Sequence, residues 1–199
     1  YAYIDNIMEA KKIFGKELWG TLYTIAKDVK IQVEFNPAVV SSYRLIGYEN
    51  RMLQTEDFNN DKKDAGDIGS GHTVTALYEI TLADQNTNKL QESKYVKQTY
   101  TNNSEIMTVN IRYKKPSENT SLLISETIKK DALTKGPNID FAASVAEFGM
   151  ILRNSEQKGL STYSHVIETV KKIETNDNWG YRSEFITLVE KASQLDKQN

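Results

Sequence analysis

The sequence predicts an α+β chain: an antiparallel, β-sandwich-like sheet followed by a C-terminal helical bundle or cap, with helices ahead of the sheet. Two observations predict this. Apolar residues recur at helical spacing up to about Asp28, at two-residue spacing from there to about Ile128, and at helical spacing again after Gly136-Pro137. Within the middle region, strand-like runs follow one another through polar turns with no helix between them, which favours antiparallel pairing.

The first stripe comprises Ile4, Ile7, Met8, Phe14, Leu18, Leu22, Ile25, Ala26 and Val29, and Gly15 and Gly20 divide it into two helices. Next, Val29, Ile31, Val33 and Phe35 point one way and Lys30, Gln32 and Glu34 the other, up to the stop signal Asn36-Pro37. Further strands are expected at Ser42–Tyr48, His72–Leu82, Tyr95–Tyr100, Ile106–Lys114 and Ser121–Ile128. In the His72–Leu82 run, Val74, Ala76, Tyr78, Ile80 and Leu82 share a face; in the Ile106–Lys114 run, Met107, Val109, Ile111 and Tyr113 face inward. Asp140 reads as the N-cap of a helix carrying Phe141, Val145, Phe148 and Leu152. A second helix carries Tyr163, Val166, Ile167, Val170 and Ile173. A third follows Trp179-Gly180 with Phe185, Leu188, Val189, Ala192 and Leu195.

Composition narrows the chemistry. The 199 residues include no Cys, which removes disulfides, Cys-type zinc sites and thiol catalysis. With only His72 and His165, an all-His metal cage is impossible. Lys+Arg number 25 against 27 Asp+Glu, so the basic excess of a nucleic-acid binder is missing. No apolar run is long enough for a membrane span. Tyr1 stands where a Met would start the chain and no signal peptide follows, so an upstream segment is expected.

Each candidate site has a plainer reading. Asp57-x-Asn59-x-Asp61, in the acidic loop Glu56–Asp67, resembles the opening of a calcium loop. Lys62 then stands where such loops carry Gly and Ile68 where they carry Glu, so the loop reads as a solvated strand connection. Gly66, Gly69 and Gly71 precede a strand rather than a helix and lack a P-loop Lys; they read as a flexible turn. Asp67, Ser70 and His72 invite a triad, but triad members converge through the fold rather than the sequence, and His72 reads as a sheet-edge hydrogen bonder. His165 reads as a surface residue. Tyrosines such as Tyr43, Tyr48, Tyr78, Tyr95, Tyr100 and Tyr113 fit cross-strand packing better than a binding platform. No catalytic, cofactor-binding or metal residues emerge from the residues alone.

One stretch resembles a known family. Gly20-Thr21-Leu22 and Ile25–Pro37 look like the junction at the end of a bacterial von Willebrand factor type A domain. The similarity continues through Tyr43–Arg51, Glu56-Asp57-Phe58, Asp64–Gly69 and Gly71–Glu79, and more loosely through Phe141-Ala142, Ala146-Glu147-Phe148 and Glu184-Phe185. These resemble the YfbK-like family, in which an uncharacterised C-terminal domain follows the type A domain. The resemblance implies that residues 1–29 are the tail of a type A domain and the rest the family's C-terminal domain, which the periodicity divides into an antiparallel β domain over 30–130 and a helical subdomain packed on it over 131–199. Type A domains bind protein ligands through a divalent cation on an Asp-x-Ser-x-Ser motif. That motif is absent here, so the resemblance implies no cofactor within these residues. It implies a non-catalytic accessory and interaction module whose partners are the rest of its type A domain and a protein ligand, in the bacterial cell envelope as a periplasmic protein or surface lipoprotein. The alternatives are a hydrolase using carboxylates and His72, or carbohydrate binding through exposed tyrosines.

Overall fold

A computed structural model describes residues 3–48, 52–83, 104–134, 136–173, 177 and 179–196. The chain divides into two compact units, Tyr1–Leu133 and Thr134–Asn199. The strand expected at Tyr95–Tyr100 lies outside the described residues.

The first unit opens with helix α1 (Ile7–Lys11), a π-helical stretch Lys12–Glu17 containing Gly15, and α2 (Leu18–Leu22). Asn6 caps α1 by accepting the Glu9 N–H at 2.9 Å. Strand β1 then spans Thr24–Phe35. The helical reading of Ile25, Ala26 and Val29 is therefore corrected: the chain is already extended there. Residue spacing misled because β1 is bulged. Its register shifts between Ala26 and Val29 against β3 (Gly66–Gly69), and between Lys27 and Lys30 against β5 (Glu105–Lys114). At the bulge Asp28 adopts φ 51°, a left-handed conformation that Asp tolerates better than most residues.

The strands form two antiparallel sheets. One has the order β3-β1-β5-β6, where β6 is Leu122–Lys129; the other pairs β2 (Val40–Ile46) with β4 (Leu77–Leu82). They share a core of Phe35, Val39, Val40 and Ile106, with Val33, Tyr78, Ile80 and Met107 packed on it. The Phe35 ring lies 4.5 Å from that of Tyr43 and 5.4 Å from that of Tyr78. Removing a side chain of this size from water contributes roughly 2 kcal/mol. Asn36 delivers the expected stop: its Oδ1 accepts the Ala38 N–H at 3.0 Å, and its amide donates to the Glu105 carbonyl at 2.8 Å. In β5 the fully buried residue is Ile106, one position before the expected Met107, because a register shift against β6 falls between Glu105 and Met107.

Two further expectations change. The strand read over His72–Leu82 is paired only from Leu77 onward. The strand read from Ser42 begins at Val40 and ends at Ile46, where Gly47 (φ 73°) and Tyr48 (φ 60°) turn the chain in left-handed conformations.

The second unit contains α3 (Pro137–Leu152), α4 (Tyr163–Lys171) and α5 (Tyr181–Asp196). Gly136, not Asp140, is the N-cap of α3; Pro137 occupies the first turn, where its missing N–H is harmless. The core is Phe148, Val166 and Val189, joined by Ile151, Tyr163, Ile167, Phe185 and Ala192. Val145 and Leu152, expected inside, are exposed, as are Leu188 and Leu195. α3 is apolar on several faces, so spacing could not choose among them. The buried position between Phe141 and Phe148 goes to Ser144, whose hydroxyl donates to the Asp140 carbonyl at 2.8 Å. Asp177 receives the N–H groups of Arg182 and Ser183 at 3.2 and 2.9 Å at the start of α5. Burial raises its carboxyl, but those donors and the Ser183 hydroxyl outweigh it and hold it below the ordinary range.

Candidate functional site

The first unit contains a half-open cleft of about 500 Å³. Its floor is the Val29–Gln32 stretch of β1. Leu45 and Tyr48, from the end of β2 and the turn after it, line it, as do Leu53, Gln54, Thr55 and Phe58. Asp67 and Ile68 of β3 and alternate residues of the following segment, His72, Val74, Ala76 and Tyr78, complete the lining, with Tyr78 beside its strand partner Leu45. The lining is largely apolar with a few polar groups, the usual character of a ligand cleft. Burial beside Tyr43 pushes the Tyr78 hydroxyl above its ordinary value, so it remains a protonated hydrogen-bonding group.

Cationic side chains of the sheet hold part of this lining in place. Lys30 is 2% exposed, and its ammonium donates to the carbonyls of Asp57 (3.1 Å) and Asn60. This fixes the 3₁₀ turn Thr55–Asn59, which seats the buried Phe58. The Arg112 guanidinium lies 5.7 Å from the Phe58 ring centre and donates to Asn59 Oδ1 at 2.9 Å. Lys114 Nζ reaches Asp28 Oδ2 at 2.6 Å and the Asp61 carbonyl at 2.7 Å. Asp28, turned by its left-handed φ, also accepts the Ala65 N–H at 3.3 Å, while its own N–H donates to Asp67 Oδ1 at 3.2 Å.

These contacts account for the calcium-like loop. Lys30 bonds the Asp57 carbonyl and Lys63 its Oδ2, Arg112 bonds Asn59 Oδ1, and Lys114 bonds the Asp61 carbonyl; of the Asp61 carboxylate, Oδ2 accepts the Ser121 N–H and Oδ1 is buried without a hydrogen bond among the described residues. Among the described residues, no group of three or more His, Asp or Glu is placed to hold a metal ion. The loop is thus not simply solvated, as its charge suggested, because sheet cations clamp it. Lys30 was missed by sequence reasoning, which placed it with Gln32 and Glu34 on a polar face; only the folded turn covers that face.

The clamp has a pH signature. The Lys114 hydrogen bond holds the Asp28 carboxyl below its ordinary 3.8, and Ser121 donors do the same for Asp61. In turn Asp28 holds Lys114 above its ordinary 10.5. The lowered acids contribute stability that is present above 3.8 and is lost as pH falls through their folded values. The raised Lys114 contributes stability that is present below 10.5 and is lost as pH rises through its folded value. Asp28→Asn, which tolerates the left-handed φ, should flatten the acid limb of urea midpoints below pH 3.8. Identical acid limbs for both chains would refute the assignment.

The glycines serve two purposes rather than one flexible turn. Gly71 has φ 74°, and Gly69 packs its α-carbon directly on the Gly20 backbone. Of the triad suggested by sequence, Asp67 and His72 line the same cleft and Ser70 does not. The Ser70 N–H donates to the Tyr23 carbonyl at 2.8 Å, and among the described residues the His72 imidazole makes no hydrogen bond. His165 is exposed as expected, its Nδ1 2.8 Å from Glu147 Oε1. Tyr43 and Tyr78 pack on Phe35, Tyr48 lines the cleft, and Tyr95 and Tyr100 lie outside the described residues.

Fold and cleft together define a mixed α/β module of two antiparallel sheets with helices at its C-terminal end. Residues 20–195 match the family described as "Uncharacterized protein YfbK, C-terminal", and the chain belongs to that family. It is 40% identical over 197 residues to "Uncharacterized protein YfbK" of Escherichia coli (strain K12). That alignment covers 96% of this chain and 34% of the relative, so the chain spans about a third of the relative's length. No solved structure matches. Among the described residues no helix is long and apolar enough to cross a membrane.

Proposed function

We propose that this chain is a non-catalytic accessory module of a type A domain protein, orienting that domain and contacting a protein partner. The observation that carries the reading is the junction between α2 and β1. A single residue, Tyr23, separates them; its carbonyl is tied to Ser70, and Gly20 rests on Gly69. A connection this short and this well held fixes orientation, where a Gly/Ser linker would let two domains float. The helical segment before it exposes Ile7, Phe14 and Leu22 at 70%, 62% and 61%, an apolar face suited to packing on a preceding domain. With this reading go a cell-envelope location and a divalent cation held outside these residues.

The test compares partner recovery by the longer protein with and without residues 20–195, and with a Gly/Ser insertion after Leu22. Loss on deletion and weakening on insertion are expected. Unchanged recovery in both would sink the proposal. A second reading, a hydrolase using carboxylates and His72, draws on Asp67 and His72 sharing one cleft. Ester or glycoside hydrolysis by the chain that His72→Ala abolishes without unfolding would favour it.

A further inference from the structure

His72, Val74, Ala76 and Tyr78 all line the cleft, and this two-residue period marks 72–78 as one extended segment with one face toward it. Pairing with β2 ends at Ile46↔Leu77, because β2 turns away at Gly47 and Tyr48. Thr73–Ala76 is exposed, belongs to no sheet, and among the described residues its backbone N–H and C=O groups make no hydrogen bond. Four residues of strand-like alternation thus stand open beside an apolar cleft, in the place where β2 has left off.

An open strand edge is a template for another extended chain. We infer that Thr73–Ala76 is a strand-addition site: an extended peptide pairs with it along the line β2 vacates and sends alternate side chains into the cleft. Charge narrows the peptide. The Lys30 ammonium is held by the Asp57 and Asn60 carbonyls. Asp67 has one oxygen bonded by the Asp28 N–H and the other without a hydrogen bond among the described residues, so the cleft presents a carboxylate oxygen ready to accept, while the donors of Lys30 are already turned to the turn carbonyls. The complementary segment carries a Lys or Arg, with Val-like residues at alternate positions beside it. The volume of about 500 Å³ accommodates a few side chains, not a folded domain. This inference rests on the interaction-module reading and names the chemistry of its partner.

The probe is acetyl-Lys-Thr-Val-Thr-Val-Thr-amide, which places its Lys and both Val on one face. Titration into the 199-residue chain should protect the Thr73 and Thr75 amides, which face the line β2 vacates, from hydrogen exchange. Thr75→Pro removes a donor that makes no hydrogen bond in the folded chain and that, by the alternation running back from the Ala83 N–H on the Val39 carbonyl, faces the line β2 vacates, so the fold should survive while affinity falls about tenfold, the effect of losing one such bond. Glu in place of the peptide Lys should weaken binding similarly, and Asp67→Asn should erase that difference.

No binding at millimolar peptide, binding without protection of Thr73 and Thr75, or equal affinity for Thr75→Pro overturns the proposal. Protection that grows with protein concentration in the absence of peptide identifies a second copy as the occupant and also overturns it. Partner recovery that survives Thr75→Pro but not deletion of 20–195 removes this site and leaves the accessory reading intact. Recovery that survives both removes the accessory reading itself.

Discussion

Gly69→Ala should destabilise the first unit by about 3 kcal/mol, the upper end of what overpacking a filled site costs. A Cβ on Gly69 would overlap the carbonyl group of Gly20 and lie 2.9 Å from its α-carbon. The obstacle is backbone, so no side chain can rotate out of the way. Gly20 belongs to α2, and Gly69 is paired with Thr24 at the start of β1. Relief therefore requires α2 to lift off β3 or the first β1–β3 pair to break. The control is Gly66→Ala, on the same short strand with nothing within 4 Å, which should stay within about 0.5 kcal/mol of the parent. Urea midpoints measure both, and hydrogen exchange at Leu18–Leu22 should accelerate only in the Gly69 variant. A Gly69→Ala chain as stable as Gly66→Ala would show that α2 does not rest on β3, and the fixed junction would lose its support.

That junction also shows where sequence stops informing. Thr24–Val29 contains Ile25, Ala26 and Val29, whose spacing satisfies a helix as well as a bulged strand; which one forms depends on partners β3 and β5, tens of residues away. Glu105–Lys114 and Leu122–Lys129 were legible as strands because most of their length is paired in register, although the shift at Glu105/Met107 moved the buried position to Ile106. His72–Ala76 shows the converse: its alternation is as clean, and its partner turns away through Gly47 and Tyr48. Half of the cleft could thus be anticipated from His72, Asp67 and the alternating face. The Phe58 part of the lining depends on a lysine whose burial no local pattern encodes.

That lysine gives the second large effect. Lys30→Met should cost about 2 kcal/mol, and the size follows from competing terms. Methionine keeps the unbranched stem in the 2% exposed site, so little packing is lost. What disappears is two charge-assisted hydrogen bonds, to the carbonyls of Asp57 and Asn60, each contributing about 1.5–3 kcal/mol. Two effects reduce the loss. The carbonyls are not orphaned, since Asp57 still accepts from the Asn60 N–H at 3.2 Å and Asn60 from the Lys63 N–H at 3.1 Å. Removing a buried ammonium also relieves its desolvation. The remainder should appear as a loosened Thr55–Asn59 turn, with faster exchange at Asn60 and a less buried Phe58. In the presence of the probe peptide, affinity should fall while pairing at Thr73 and Thr75 persists, because Lys30 holds the turn that seats Phe58 in the cleft lining and, among the described residues, makes no hydrogen bond to that edge. A Lys30→Met chain with parental stability and exchange would mean that desolvation cancels both bonds, and that Arg112 and Lys63 hold the turn without Lys30.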